Sequence, residues 1–126
     1  MPVPDDRTYL ASHEWHKPEG ELIVIGISQP AVEELTDITY LEVSKDAGSI
    51  DAGESFGEIE SVKATSELYC GIAGEVVAVN QEVIDNPALI NDDCYDAGWI
   101  IKVRPADPDA AKSLLSAADY QAQTAD

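Results

Sequence analysis

Lys63 is the residue in this chain best placed to do chemistry. It sits in GEIESVKATSELYCGIAGEVVAVN (57–80), between the strand-like run FGEIESV and the small residues Ala64, Thr65 and Ser66, which suit a tight turn. That spacing puts the lysine at or near a hairpin tip, with its side chain in water. An unburied amine has no neighbour to lower its pKa, so it is a poor Schiff-base or general-base group. It is accessible to a modifying enzyme, and a long adduct could swing from it. Pattern alone favours a plain solvated lysine and leaves attachment open.

The other candidates carry less. Glu58, Glu60, Glu67 and Glu75 have the groups for acid–base catalysis, but nothing in the sequence sets two of them across a cleft, so a solvated face is expected. NDDCYDAGW lacks the alternating ligands and closing glutamate of a calcium loop, which makes it an ordinary acidic loop. His13 and His16 flank Trp15 with no third ligand or nucleophile near them, and read as structural or surface residues. Cys70, on the return strand of the hairpin, reads as a small buried hydrophobe rather than a redox thiol. Cys94 and Cys70 form no CxxC and have no metal-ligand spacing with the histidines, so reduced thiols in a cytoplasmic-type compartment are expected. No phosphate loop, nucleophile elbow or nucleotide fingerprint is present.

These residues need a small, mainly β scaffold. At 126 residues the chain fits one domain, 1–126. ELIVIGIS (21–28) reads as a strand buried on both faces, and Ser28 as the cap of a short helix with Ala31, Val32 and Leu35 on one side. DITYLEVS (37–44) alternates like a strand with apolar residues on both faces. Gly48, Gly53 and Gly57 punctuate short strands, and SELYCGIAGEVVAVN continues as strand, turn, strand. Residues 80–92 read as a loop with one helical turn after Pro87, and GWIIKVRP (98–105) as the last strand. Residues 1–8 look loose. Near the C-terminus, Asp107 with Pro108 at the first helical position, then Ser116 with Asp119, start two short helices that pack through Leu114, Leu115 and Tyr120. The sum is a small β-sandwich or flattened barrel with short helices, including a C-terminal helical pair.

Twenty-five acidic residues face seven basic ones, for a formal net charge of −18. That field repels nucleic acid and anionic membranes and favours basic protein partners. No apolar run is long enough to cross a bilayer, and no signal or transit peptide is visible at the start of the sequence.

SHEW (12–15), VIGIS (24–28), AGESFGEIESVKATSELY (52–69), AGEVVAVN (73–80), GWIIKVRP (98–105) and SLLSAADY (113–120) occur together and in this order. Over nearly its whole length the chain resembles the glycine cleavage system H proteins, whose fold is the barrel-sandwich hybrid of lipoyl domains. Val62 and Ala64 beside the lysine fit lipoyl carriers better than biotin carriers, which usually have methionines there. The resemblance implies lipoic acid amide-linked to Lys63, and a non-enzymatic carrier monomer. It implies that the aminomethyl group of glycine passes from a pyridoxal-phosphate decarboxylase (P protein) to a folate-dependent aminomethyltransferase (T protein). Dihydrolipoyl dehydrogenase (L protein) would reoxidise the carrier, and a lipoate ligase or lipoyl/octanoyltransferase would load it. It implies a cleft that shields the loaded arm, lined by Ser12 and Glu14, with Glu67 as a further carboxylate. Bacterial cytoplasm is the expected location, with the processed mitochondrial matrix second. An H-like carrier for lipoate relay or another lipoate-linked pathway is the alternative. Three stretches depart from the family's usual pattern: Cys70-Gly71 in place of Ser-Pro, Leu35-Thr36-Asp37 in place of LGD, and KDAGSID (45–51).

Overall fold

The computed structural model describes residues 3–45, 47–107 and 109–124. In chain order the elements are β1 (Thr8–Tyr9), β2 (Glu14–Glu19), β3 (Leu22–Ile27), α1 (Gln29–Leu35), β4 (Ile38–Val43), β5 (Gly48–Ile50), β6 (Ser55–Ser61), β7 (Thr65–Tyr69), β8 (Gly74–Val79), α2 (Gln81–Asp85), α3 (Ala88–Asp92) and β9 (Ile101–Pro105). A 3₁₀ turn (Ala110–Ser113) and α4 (Ala117–Thr124) follow. Six strands form one antiparallel sheet in the order β1-β2-β3-β9-β8-β5, and β4-β6-β7 form a second. The fold is therefore mainly β with a few short helices. The two sheets face each other without closing into a barrel, which settles the sandwich against the flattened barrel.

β3 is buried on both faces for a reason visible in its alternation. Ile23, Ile25 and Ile27 point into the main core between the sheets, while Val24 joins Tyr9, Trp15, Ala117 and Tyr120 in a second cluster on the other face. Gly26 pairs with Trp15 in register, and a Cβ there would lie 2.6 Å from the indole ring. The indole thus packs directly on the strand. β4 does not alternate strictly. A register shift between Ile38 and Tyr40 leaves Ile38 and Leu41 as its buried residues.

Several expectations need correcting. Of the expected loose start, residues 3–8 are packed onto the fold, and residues 1 and 2 lie outside the described residues. Val3 is buried, and the Arg7 guanidinium lies over the Trp15 and Tyr95 rings while Nη1 donates to the Tyr95 carbonyl at 2.8 Å. Residues 80–92 hold two helices. Asn80 caps α2 by accepting from the Glu82 amide at 3.2 Å, and Val83 and Ile90 are fully buried. The strand, turn, strand expected of SELYCGIAGEVVAVN is present as β7 and β8, which belong to different sheets. Cys70 lies one residue past β7, is fully buried, and has its thiol pushed up to about 11 by burial. β9 begins only at Ile101.

At the C-terminus the first helix of the expected pair is a 3₁₀ turn. Asp107 accepts from the Asp109 amide at 3.0 Å, and Pro108 lies outside the described residues. Ser116 accepts from the Asp119 amide at 3.2 Å, as the cap pattern predicts. Tyr120 is fully buried, and Leu114 and Leu115 are partly so.

One departure from the family pattern strains the backbone. Thr36 holds φ +63°, a conformation that strains a β-branched residue. It persists because its amide closes α1 onto the Val32 carbonyl at 2.9 Å and its carbonyl accepts from Asn91 Nδ2 at 2.6 Å. Thr36→Gly is expected to raise stability by ~1 kcal/mol in urea unfolding, by removing that strain. At Gly57 the expectation runs the other way. A Cβ would lie 2.2 Å from the Glu42 carbonyl oxygen on β4, so Gly57→Ala is expected to cost ~3 kcal/mol by prying the two strands apart.

Candidate functional site

β6 and β7 form the expected hairpin, with Val62, Lys63 and Ala64 between them. One side chain organises the turn. Ser61 Oγ accepts from the Lys63 amide at 3.1 Å and the Ala64 amide at 3.2 Å, while the Ser61 amide donates to the Ala64 carbonyl at 2.8 Å. A hydroxyl two residues before the lysine is a turn signal that the sequence carried and that went unread. Lys63 is exposed, and Val62 beside it is 70% exposed. Lys17, Lys45, Lys102 and Lys112 each have a carboxylate within 4 Å. Among the described residues Lys63 has none, so its amine is unencumbered.

Next to the hairpin lies a cleft of about 430 Å³. Its walls come from three places: Ser12, His13 and Glu14 at the entry to β2, Ala31, Glu34 and Leu35 on α1, and Lys63 through Leu68 on the hairpin. The residues singled out from sequence, Ser12, Glu14, Lys63 and Glu67, are all brought together here. Ile27, Leu35, Ile59 and Leu68 supply apolar surface. His13 and Glu34 complete the lining. Sequence reading set His13 aside and passed over Glu34, since no periodicity marks a residue that a neighbouring helix turns into a cleft.

Glu14 is 1% exposed and doubly held: Ser12 Oγ donates to Oε1 at 2.5 Å and the Tyr69 amide to Oε2 at 2.7 Å. Burial pushes its pKa above the ordinary value, and these two bonds offset part of that rise. Each oxygen keeps one acceptor site for a further donor. Two residues on, buried His16 does a similar job, its Nε2 accepting from the Gly71 amide at 2.9 Å. These side chains of β2 thus stitch the free edge of the hairpin strand to the six-stranded sheet. Gly71 supplies an amide that a proline would lack, so His16 accounts for that departure from the family pattern.

Glu67 is exposed and accepts from Tyr69 Oη at 2.8 Å, which together with the Glu67 charge raises the pKa of that phenol. It stands opposite Glu58 in register, on the solvent side of the three-stranded sheet, while Glu75 pairs with Arg104 at 3.6 Å on the other sheet. Asp93 accepts from the amides of Asp96 and Ala97, so its carboxylate closes a loop. Among the described residues no group of His, Cys, Asp and Glu could hold a metal ion.

An exposed amine at the rim of a cleft with apolar walls and a buried carboxylate is an arrangement suited to a carrier whose chemistry is borne on an adduct. Comparison with known proteins agrees. The glycine cleavage H-protein family model matches residues 7–126. The glycine cleavage system H protein of Myxococcus xanthus is 43% identical over 95% of this chain and 93% of its own length. The probable glycine cleavage system H protein of Natronomonas pharaonis is 46% identical over 98% and 97%. The crystal structure of a glycine cleavage system H protein from Mycobacterium marinum superimposes with a TM-score of 0.88 at 38% identity, covering 97% of this chain and 98% of that one.

The chain belongs to the glycine cleavage H-protein family. It is a lipoyl carrier and not an enzyme: it takes the aminomethyl group of glycine from the decarboxylase to the aminomethyltransferase and is reoxidised by dihydrolipoyl dehydrogenase. Lipoate on a lysine supplies exposed sulfur, whereas Cys70 and Cys94 are buried in the core. The residues present fit it, with an unpaired exposed amine at the rim of a cleft whose apolar surface suits a hydrocarbon arm and whose carboxylates suit an amine.

Proposed function

We propose that Lys63 is the lipoyl attachment site and that the loaded arm folds into the adjoining cleft, where Ser12, Glu14 and Glu67 receive its amine. The observation that carries this reading is that Lys63 and those three residues line one cavity although they come from distant parts of the chain. Glu14 supplies a buried, pre-oriented carboxylate, Ser12 fixes its rotamer, and Glu67 adds negative charge at the rim. Shielding by the hairpin and α1 keeps water from the adduct. Acylation removes the Lys63 charge, so the carboxylates then face only the amine of the adduct.

A lipoate ligase or lipoyl/octanoyltransferase loads the hairpin, whose rigid turn presents the amine in a fixed place. The chain acts as a single domain, 1–126, and as a monomer, because a net charge of −18 opposes self-association. No described helix is long and apolar enough to cross a membrane. Bacterial relatives and two unpaired cysteines support a cytoplasmic location.

Glu14→Gln tests the cleft assignment. It keeps the shape and removes the charge, and is expected to hasten hydrolytic loss of the aminomethyl group roughly tenfold, the worth of one charge-assisted hydrogen bond. An unchanged lifetime, measured by intact mass spectrometry, would remove Glu14 from the arm's contacts.

A further inference from the structure

We propose that His13 is a positioning residue for the loaded arm: one ring nitrogen is anchored inward by Tyr120, and the other holds Glu34 at the mouth of the cleft as a second counter-charge for the adduct's amine. This rests on the reading that the arm of Lys63 enters this cleft.

His13 separates Ser12 from Glu14 and adopts φ +88°, rare for a residue with a side chain. The conformation is fixed from both sides, since the His13 amide donates to the Leu10 carbonyl at 3.0 Å and its carbonyl accepts from the Ser28 amide at 2.9 Å. The ring meets Tyr120 edge-on at 5.7 Å, with Nδ1 2.5 Å from the phenol oxygen. Tyr120 is fully buried, stacked on Tyr9 at 4.6 Å, and hydrogen-bonded to Ser28 Oγ. Ser28 occupies the N-cap of α1, yet its side chain makes no cap bond, because the hydroxyl is committed to Tyr120.

The proton order in this chain follows from its two ends. Tyr120 keeps its proton, its pKa being raised to about 12 chiefly by burial. At the far end the Glu34 carboxylate stands 4.0 Å from His13 Nε2. A lone pair on Nε2 would repel that carboxylate, whereas an N–H attracts it. Ser28 therefore donates to Tyr120, Tyr120 to Nδ1, and Nε2–H points toward Glu34. Glu34 needs such a hold, since its side chain is 78% exposed and no other described group pairs with it. Glu14 already accepts two hydrogen bonds, so Glu34 is the carboxylate with most capacity left.

The titratable groups around the imidazole are Glu34 on α1, Tyr120 on α4 and Glu14, the next residue in the chain, with Lys63 and Glu67 lining the same cleft. Protonation would give Nδ1 a hydrogen, reverse the donor chain, and set an imidazolium beside the adduct's ammonium. Burial lowers the His13 pKa and Glu34 raises it, with burial the larger effect. Glu34's charge is thus free for the adduct's amine above the ordinary value of 6.5 and is taken up by the imidazolium as the pH falls below it.

The test uses lipoylated, aminomethyl-loaded protein, following loss of the group by intact mass spectrometry from pH 8 to pH 5. Wild type is expected to lose it faster as the pH falls below 6.5. His13→Gln is expected to lose it several-fold faster at pH 7.5 with that acid step flattened, and Glu34→Gln to match it at pH 7.5. In the unloaded protein, imidazole ¹⁵N NMR is expected to show the proton on Nε2, and Tyr120→Phe to shift the Nδ1 resonance. A His13→Gln lifetime and pH profile like those of wild type would overturn the proposal, as would a proton on Nδ1. If Glu14→Gln shortens the lifetime while His13→Gln does not, the cleft reading survives and this proposal fails. If neither changes it, both fail.

Discussion

Lys63→Arg is expected to fold like wild type, to accept no lipoyl group, and to reduce glycine cleavage in a system reconstituted with the three partner enzymes to background. The fold is indifferent to the change because the turn is held by Ser61 Oγ and the backbone, and the lysine side chain is exposed without an ion pair among the described residues. A surface substitution of this kind shifts stability by no more than about 0.5 kcal/mol. The loss of function is total because arginine stays charged and offers no acylable amine. Thermal unfolding separates the two effects, with an unchanged midpoint beside absent activity. Substantial residual glycine cleavage would show that the transferred group travels by another route.

His16 sets the second large effect. It is fully buried, and burial takes its pKa from 6.5 to about 4, so the folded protein holds it neutral. Neutrality is what its contact requires, since only a lone pair on Nε2 can accept from the Gly71 amide. The unfolded chain binds a proton near pH 6.5 and the folded one resists until about 4. Stability is therefore fully present above 6.5 and is lost as the pH falls toward 4, by about 3 kcal/mol for this group. Glu14 acts in the opposite sense, its raised pKa costing stability as the pH rises above its ordinary value. Protonation of surface carboxylates also relieves self-repulsion on acidification, equally in wild type and variant. The clean quantity is thus the difference between wild type and His16→Gln, in which an amide oxygen can take over the Gly71 contact without titrating. Urea unfolding followed by tryptophan fluorescence at pH 7.5 and 4.5 is expected to show a wild-type loss that the variant lacks. Equal losses in both would mean that His16 is not the acid-sensitive stitch.

What could be read before folding was what periodicity and local turn chemistry encode. The double burial of ELIVIGIS, the Lys63 turn and the Ser116 cap are all properties of a few consecutive residues. The arrangement of the cleft is not. Ser12, Glu14 and Glu67 came from likeness to a family, because no spacing rule joins residues 12 and 67. Glu34 was missed because it reaches the cleft only through the placement of α1 beside the hairpin. Arg7 escaped notice because a loose, Pro- and Asp-rich start gives no hint of the Trp15–Tyr95 pair that covers it. The helices of 80–92 are so short that propensity could not separate them from loop, and the buried Val83 and Ile90 hold them in place. The exchange of Pro for Gly at position 71 was visible in the sequence, but His16 as its partner across the sheet edge was not.

Peptide mapping of protein produced with a lipoylating enzyme and lipoate tests most directly whether this scaffold exists to present one amine. A single lipoyl increment is predicted on the peptide containing Lys63, with Lys17, Lys45, Lys102 and Lys112 unmodified. A lipoyl group on any of those four with Lys63 bare would contradict the account.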